Sequence, residues 1–342
     1  MRMRRPVRLL LLTSVAFALL LGASAWILGS KLVEPANHKV ALPAGFSAPT
    51  VSIPGAGHSI AGWWVDQGGD SPVVLLLHAV RADRSTMVSR AQLLMKHGFS
   101  VLLIDLQGHG ETAGEAITLG YRESQDVVAA RNWIKLTAPG RKIGVVGCSL
   151  GGASVLLAPQ PSGFDAVVLE AVYPRIARAA ENRIRIHLGF LAPVLTPLLL
   201  MQLEPRLHIT AADLEPIRSI PRLGAPVLIA AGSKDEHTTL EESQELFDTA
   251  SQPKSLWVVE GAQHQDLLAY DGQAYEKNVV GFLRKTLRGA ALARAEHVFS
   301  SWPGIEVWCG CLRSWCRGIL ETNEAMTKLA VGAGGSDTRR RA

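Results

Sequence analysis

The pentapeptide Gly147-Cys148-Ser149-Leu150-Gly151 follows the apolar run Ile143-Gly144-Val145-Val146 and opens onto Gly152-Ala153-Ser154-Val155-Leu156-Leu157-Ala158, a helix-compatible stretch. A strand that turns into a helix within so few residues holds its central side chain in strained backbone at the carboxyl edge of a sheet. Strand and helix must then approach closely, and Gly147, Gly151 and Gly152 leave the room. The G-x-S-x-G spacing thus places a serine where a nucleophile would stand. The same five residues also occur as plain turns in glycine-rich chains, so the surroundings have to decide.

Those surroundings alternate between strand and helix. Ile60 to Val65 and Pro72 to Leu77 read as strands separated by the turn Gln67-Gly68-Gly69-Asp70, and Val101 to Ile104 is a continuous apolar strand. Helical spacing runs from Thr86 to His97, ending at Gly98, and from Glu123 to Leu136, where Val127, Val128, Ala130 and Trp133 recur at helical intervals. After the elbow come strand Ala166 to Leu169, strand Val227 to Ala230, helix Leu240 to Thr249, strand Ser255 to Val259 and helix Ala274 to Leu287. Short, fully apolar strands joined by helices predict an α/β fold: a mostly parallel sheet covered by helices on both faces.

The 342 residues exceed one such domain, and the ends differ from the body. The formal charge is +5, yet Arg2, Arg4, Arg5, Arg8, Arg339, Arg340 and Arg341 alone exceed it, so the body is slightly acidic. It carries no basic groove with interleaved aromatics, and no nucleic-acid partner is expected. Leu9 to Leu28 lacks any charged residue, and the arginines precede it. Residues 1–30 are therefore expected to be a retained signal anchor, with Trp26 near the far interface and the body outside the cytoplasm. Ala23-Ser24-Ala25 also fits a cleavage site, so a secreted form cut after Ala25 stays open. Residues 31–49 read as a linker and 50–287 as the α/β domain.

Two segments break the alternation. Between Tyr173 and Pro221 lie Arg175, Arg178, Arg183 and Arg185, followed by the uncharged run Leu188 to Leu203, which contains Pro193 and Pro197. Residues 173–221 read as a short helical lid insertion, its apolar run being either a buried helical pair or an interfacial surface. Residues 288–342 form an extension with Trp302, Trp308, Trp315, Cys309, Cys311 and Cys316, partly disordered by composition. Those cysteines with His297 fit no zinc spacing, and neither a metal nor a cofactor is expected. Cys148, the remaining cysteine, reads as small buried filler.

A serine hydroxyl becomes a nucleophile when a histidine accepts its proton and a carboxylate holds that histidine in one tautomer. Strand Val227 to Ala230 leads to Gly232-Ser233-Lys234-Asp235-Glu236, and strand Ser255 to Val259 leads to Gly261-Ala262-Gln263-His264. The candidates are therefore Ser149, Asp235 and His264, with Glu236 as the other possible acid. Asp266 follows His264 too closely to orient it and reads as a surface or helix-capping carboxylate. Two N–H groups must face the developing oxyanion: Leu150, and Ala79 or Val80 after the strand ending Leu75-Leu76-Leu77-His78.

With these residues the stretch from about Val51 to Leu287 resembles the α/β-hydrolase superfamily, especially membrane-anchored, single-domain serine hydrolases of esterase, lipase and peptidase type. The His78-Ala79 loop, Ile104-Asp105-Leu106-Gln107-Gly108-His109-Gly110 and Gly120-Tyr121-Arg122-Glu123 add to that likeness, although relatives more often have Gly where Ala79 stands. The resemblance implies a structural turn at Gly108-His109-Gly110 and local hydrogen bonding of Asp105. It implies hydrolysis of a small-molecule carboxylic ester, with apolar acyl groups suited to an apolar lid. Peptide cleavage, acyl transfer on the same machinery, a non-catalytic tethered binding protein and any oligomeric state remain open from sequence.

Overall fold

A computed structural model describes residues 5–289. Its centre is an eight-stranded sheet: β1 (Thr50–Pro54), β2 (Ser59–Val65), β3 (Val73–Leu77), β4 (Ser100–Ile104), β5 (Ile143–Cys148), β6 (Ala166–Glu170), β7 (Val227–Gly232) and β8 (Lys254–Val259). They lie in the order β8-β7-β6-β5-β3-β4-β2-β1. β2 is antiparallel to both its neighbours, β1 and β4, and every other pairing in the sheet is parallel. Every residue of β3, β4 and β6 is buried, which is why these strands read as unbroken apolar runs.

Along β3 the side chains divide between two cores. Val73, Leu75 and Leu77 join one core with Val127, Ile134, Leu150 and Leu246, while Val74 and Leu76 join the other with Leu94, Leu283 and Leu287. The helices behind these residues are α1 (Arg5–Val33), α2 (Val88–Lys96), α3 (Glu123–Thr137), α4 (Leu150–Leu157), α5 (Ile176–Leu188), α6 (Ala192–Leu200), α7 (Leu203–Leu207), α8 (Leu240–Thr249) and α9 (Gly281–Arg288). Helices α3, α4 and α8 cover the first face, and α2 and α9 the second. Thr239 opens α8 with a capping box in which the Glu242 carboxylate accepts from Thr239 N at 3.0 Å.

The segment expected as a free connector after the anchor is tied to the body. Helix α1 runs on to Val33, whose carbonyl accepts from Ile117 N at 2.8 Å. Ala36–Asn37 then pairs in parallel with His109–Gly110, and Arg81 donates to the Lys31 carbonyl. The Trp and Cys residues of the C-terminal extension, with His297, lie outside the described residues. Helices α5, α6 and α7 all belong to the insertion between β6 and β7.

Candidate active site

At the end of β5 the chain reverses into α4 through Ser149, whose backbone sits at φ 46° and ψ −106°. A positive φ costs a non-glycine residue of order 1–3 kcal/mol, so the surroundings must impose it. They do so from two sides. Ser149 N donates to the Glu170 carbonyl at 2.8 Å on the neighbouring strand. A Cβ on Gly151 would meet the Leu77 carbonyl oxygen at 2.6 Å, and one on Gly147 would meet Gly152 N at 2.5 Å. Strand, turn and helix are thus in backbone contact. As the first residue of α4, Leu150 has an N–H with no acceptor inside the helix, the property an oxyanion donor needs.

The loops after β7 and β8 close on each other through backbone contacts. Lys234 N donates to the Ala262 carbonyl at 2.9 Å, and Gly261 N donates to Ser233 Oγ at 2.8 Å. This brings Asp235 to His264, where Nδ1 lies 2.7 Å from Asp235 Oδ2. The other carboxylate oxygen accepts from His237 N at 2.8 Å and Thr238 N at 2.9 Å. Held by these three contacts, the carboxylate fixes the ring so that Nδ1 carries the proton and Nε2 is left as the base. Asp235 is buried and Glu236 exposed, so the partner of His264 is Asp235. Among the described residues the Ser149 hydroxyl makes no hydrogen bond; the structure joins Asp235 to His264 and holds Ser149 on its separate elbow.

Beyond β3, His78 is completely buried. Its Nδ1 donates to the Ala79 carbonyl at 2.7 Å, and its Nε2 accepts from Leu106 N at 3.0 Å. Burial pushes the imidazole pKa down to about 4, so it stays neutral and acts as a fastener of the Ala79–Val80 loop. Asp105 is held locally, accepting from Arg84 N at 2.7 Å and Glu111 N at 2.8 Å and pairing with the Arg84 guanidinium. Asp266 caps a helical turn through Leu268 N at 2.9 Å. No group of three or more His, Cys, Asp or Glu is placed to hold a metal ion among the described residues.

One buried cluster beneath the elbow escapes sequence reasoning. Glu170, the last residue of β6, accepts from Arg90 Nη2 at 2.7 Å, Tyr275 Oη at 2.6 Å and Cys148 Sγ at 3.3 Å. Arg90 also reaches Asp266 at 3.0 Å, two residues past His264. The strut Asp266–Arg90–Glu170 therefore links the histidine loop to the strand that holds the elbow. A glutamate closing the otherwise apolar run Ala166 to Leu169 was its one sequence signal. Asp126, which accepts from Gln107 N at 2.7 Å and meets His58 Nε2 at 2.8 Å, is a second such group.

The model of the alpha/beta hydrolase family matches residues 51–277. The chain belongs to this family. Curated relatives include the uncharacterized protein Rv2307c of Mycobacterium tuberculosis, 30% identical over 234 residues, which are 67% of this chain and 76% of that protein. The uncharacterized protein YqkD of Bacillus subtilis is 24% identical over 236 residues, 68% of this chain and 77% of that protein. Among solved structures, the Pyrococcus furiosus esterase Pf2001 superposes with a TM-score of 0.61 at 21% identity, covering 74% of this chain and 99% of that one. At that identity the likeness establishes a shared fold.

Proposed function

We propose that this α/β-hydrolase is a serine hydrolase of carboxylic esters, anchored to a membrane by α1 with its body outside the cytoplasm. The observation that carries the reading is the 2.7 Å Asp235–His264 contact on loops facing the same sheet edge as the strained Ser149. Ser149 Oγ attacks the ester carbonyl as His264 Nε2 takes its proton; Leu150 N–H and Ala79 N–H stabilise the tetrahedral oxyanion. Collapse expels the alcohol, protonated by His264, and leaves an acyl-serine. Water, deprotonated by His264, then releases the acid and restores Ser149. Asp235 keeps the ring in the required tautomer throughout. The esterase among the structural relatives supports an ester over a peptide.

The test is labelling of the full-length protein with a fluorophosphonate, with the adduct located by mass spectrometry. An adduct on Ser149, missing from Ser149→Ala together with a loss of turnover on the order of 10,000-fold or more, is the expected result. Folded wild-type protein that leaves Ser149 unmodified overturns the reading.

A further inference from the structure

The insertion between β6 and β7 contains a stretch that a water-exposed surface does not account for. Within residues 176–207 an 18-residue window has mean hydropathy 1.7, yet only 17% of it is buried. On α6 and its flanks Phe190 is 89% exposed, Val194 65%, Leu198 50% and Met201 72%. Their spacing of four, four and three residues puts them on one helical stripe. Contiguous exposed apolar surface of this kind marks an interaction site. At nine residues α6 is roughly 14 Å long, too short to cross a bilayer, and Pro197 lies inside it.

What covers the stripe is indicated by its neighbour. The last turns of α1 are docked on α6 and α7: Arg206 stacks 3.7 Å over the Trp26 ring and donates to Ser30 Oγ at 2.6 Å. Gly29 is buried there, and a Cβ on it would crowd Gln202 and Arg206. Leu19, Leu20, Ile27 and Leu28 of α1 are themselves more than half exposed. Helix α6 is therefore held at a set place beside α1, and both helices carry exposed apolar side chains.

We propose that the α6 stripe Phe190, Val194, Leu198 and Met201 rests in the surface of the same bilayer that α1 enters, an inference that rests on the anchoring reading above. The body side of the insertion meets the site: Asn182 of α5 donates to the His237 carbonyl at 3.3 Å and to Glu242 at 3.0 Å, beside the Asp235 loop. The Asp235 loop is thus tied to the segment that carries the stripe, and the substrate class this placement fits is acyl esters resident in that bilayer.

The experiment uses the full chain in phosphatidylcholine–phosphatidylglycerol vesicles. A photoreactive benzoylphenylalanine replaces Phe190 or Leu198, with Leu19 in α1 as positive control and the exposed Leu136 at the end of α3 as negative control. Lipid adducts at 19, 190 and 198 but not at 136 are expected. Adducts at 19 with lipid, but at 190 and 198 only with a second copy or with residues 290–342, overturn the docking and leave the anchor standing. No lipid adduct at 19 overturns both. In parallel, Val194→Asp/Leu198→Asp is expected to hydrolyse a water-soluble short-chain ester within about twofold of wild type and a vesicle-dissolved long-chain ester about fivefold or more slowly. Equal rates of change on the two esters overturn the docking. Wild type inert to the soluble ester indicts the hydrolase reading instead, and the cross-linking then decides the docking alone.

Discussion

Two carboxylates stand side by side at 235 and 236, and their neighbours separate them. Asp235 spends one oxygen on the backbone N–H groups of His237 and Thr238 and the other on His264 Nδ1, whereas Glu236 is exposed. Asp235→Asn presents an amide that can donate to Nδ1, favouring the tautomer with the proton on the wrong nitrogen, and kcat is expected to fall about 10,000-fold. Glu236→Gln is expected to stay within about twofold. Steady-state kinetics on one ester checks both, and a comparable loss in Glu236→Gln contradicts the assignment. His237, whose ring lies 5.1 Å from that of His264, is not interchangeable with it: burial first, then the Arg183 charge, pushes its pKa down, and its Nδ1 has no hydrogen-bond partner among the described residues.

At the scale of elements, the elbow depends on β3 touching α4 through Gly151. Adding a methyl there places it 2.6 Å from the Leu77 carbonyl and 2.7 Å from Leu77 Cβ, in a strand hydrogen-bonded on both sides. Gly151→Ala is expected to cost about 1–3 kcal/mol or more, read as a lowered urea midpoint, and an unchanged midpoint contradicts the contact. The central strands were legible because burial on both faces leaves no polar position. β1 was not: only Ile53 of its five residues is buried, and it is an edge strand ending in Pro54. The triad candidates were legible because each follows its own strand in order. The strut was not, because Arg90 meets partners 80 and 176 residues away and Tyr275 meets Glu170 across 105, distances no local pattern encodes. The tie between the end of α1 and the body is equally long-range, through Arg206 and His109–Gly110.

For the whole molecule, several buried titratable groups set how stability responds to acid. His78 and His109 both have pKa values pushed down to about 4, each chiefly by burial. Unfolded imidazoles take up protons near 6.5, so between 6.5 and 4 the unfolded state binds more protons, and each histidine withdraws stability as the pH falls. The contribution is fully present above 6.5 and lost towards 4, up to about 3 kcal/mol per ring. Asp126, pushed up to about 6 mainly by burial, works in the opposite sense, so the measurement is comparative. His109→Asn is expected to lose less stability than wild type in urea titrations between pH 7 and 4.5; parallel losses contradict the role of that ring. Cys148 adds a last property. It is the one free thiol among the described residues, engaged with Glu170 and with a pKa raised by burial far above the usual thiol range. The thiolate is the reactive form of a cysteine, so a sulfur whose ionisation burial disfavours is a slow nucleophile, and an electrophile arriving at the elbow is left to the neighbouring hydroxyl of Ser149.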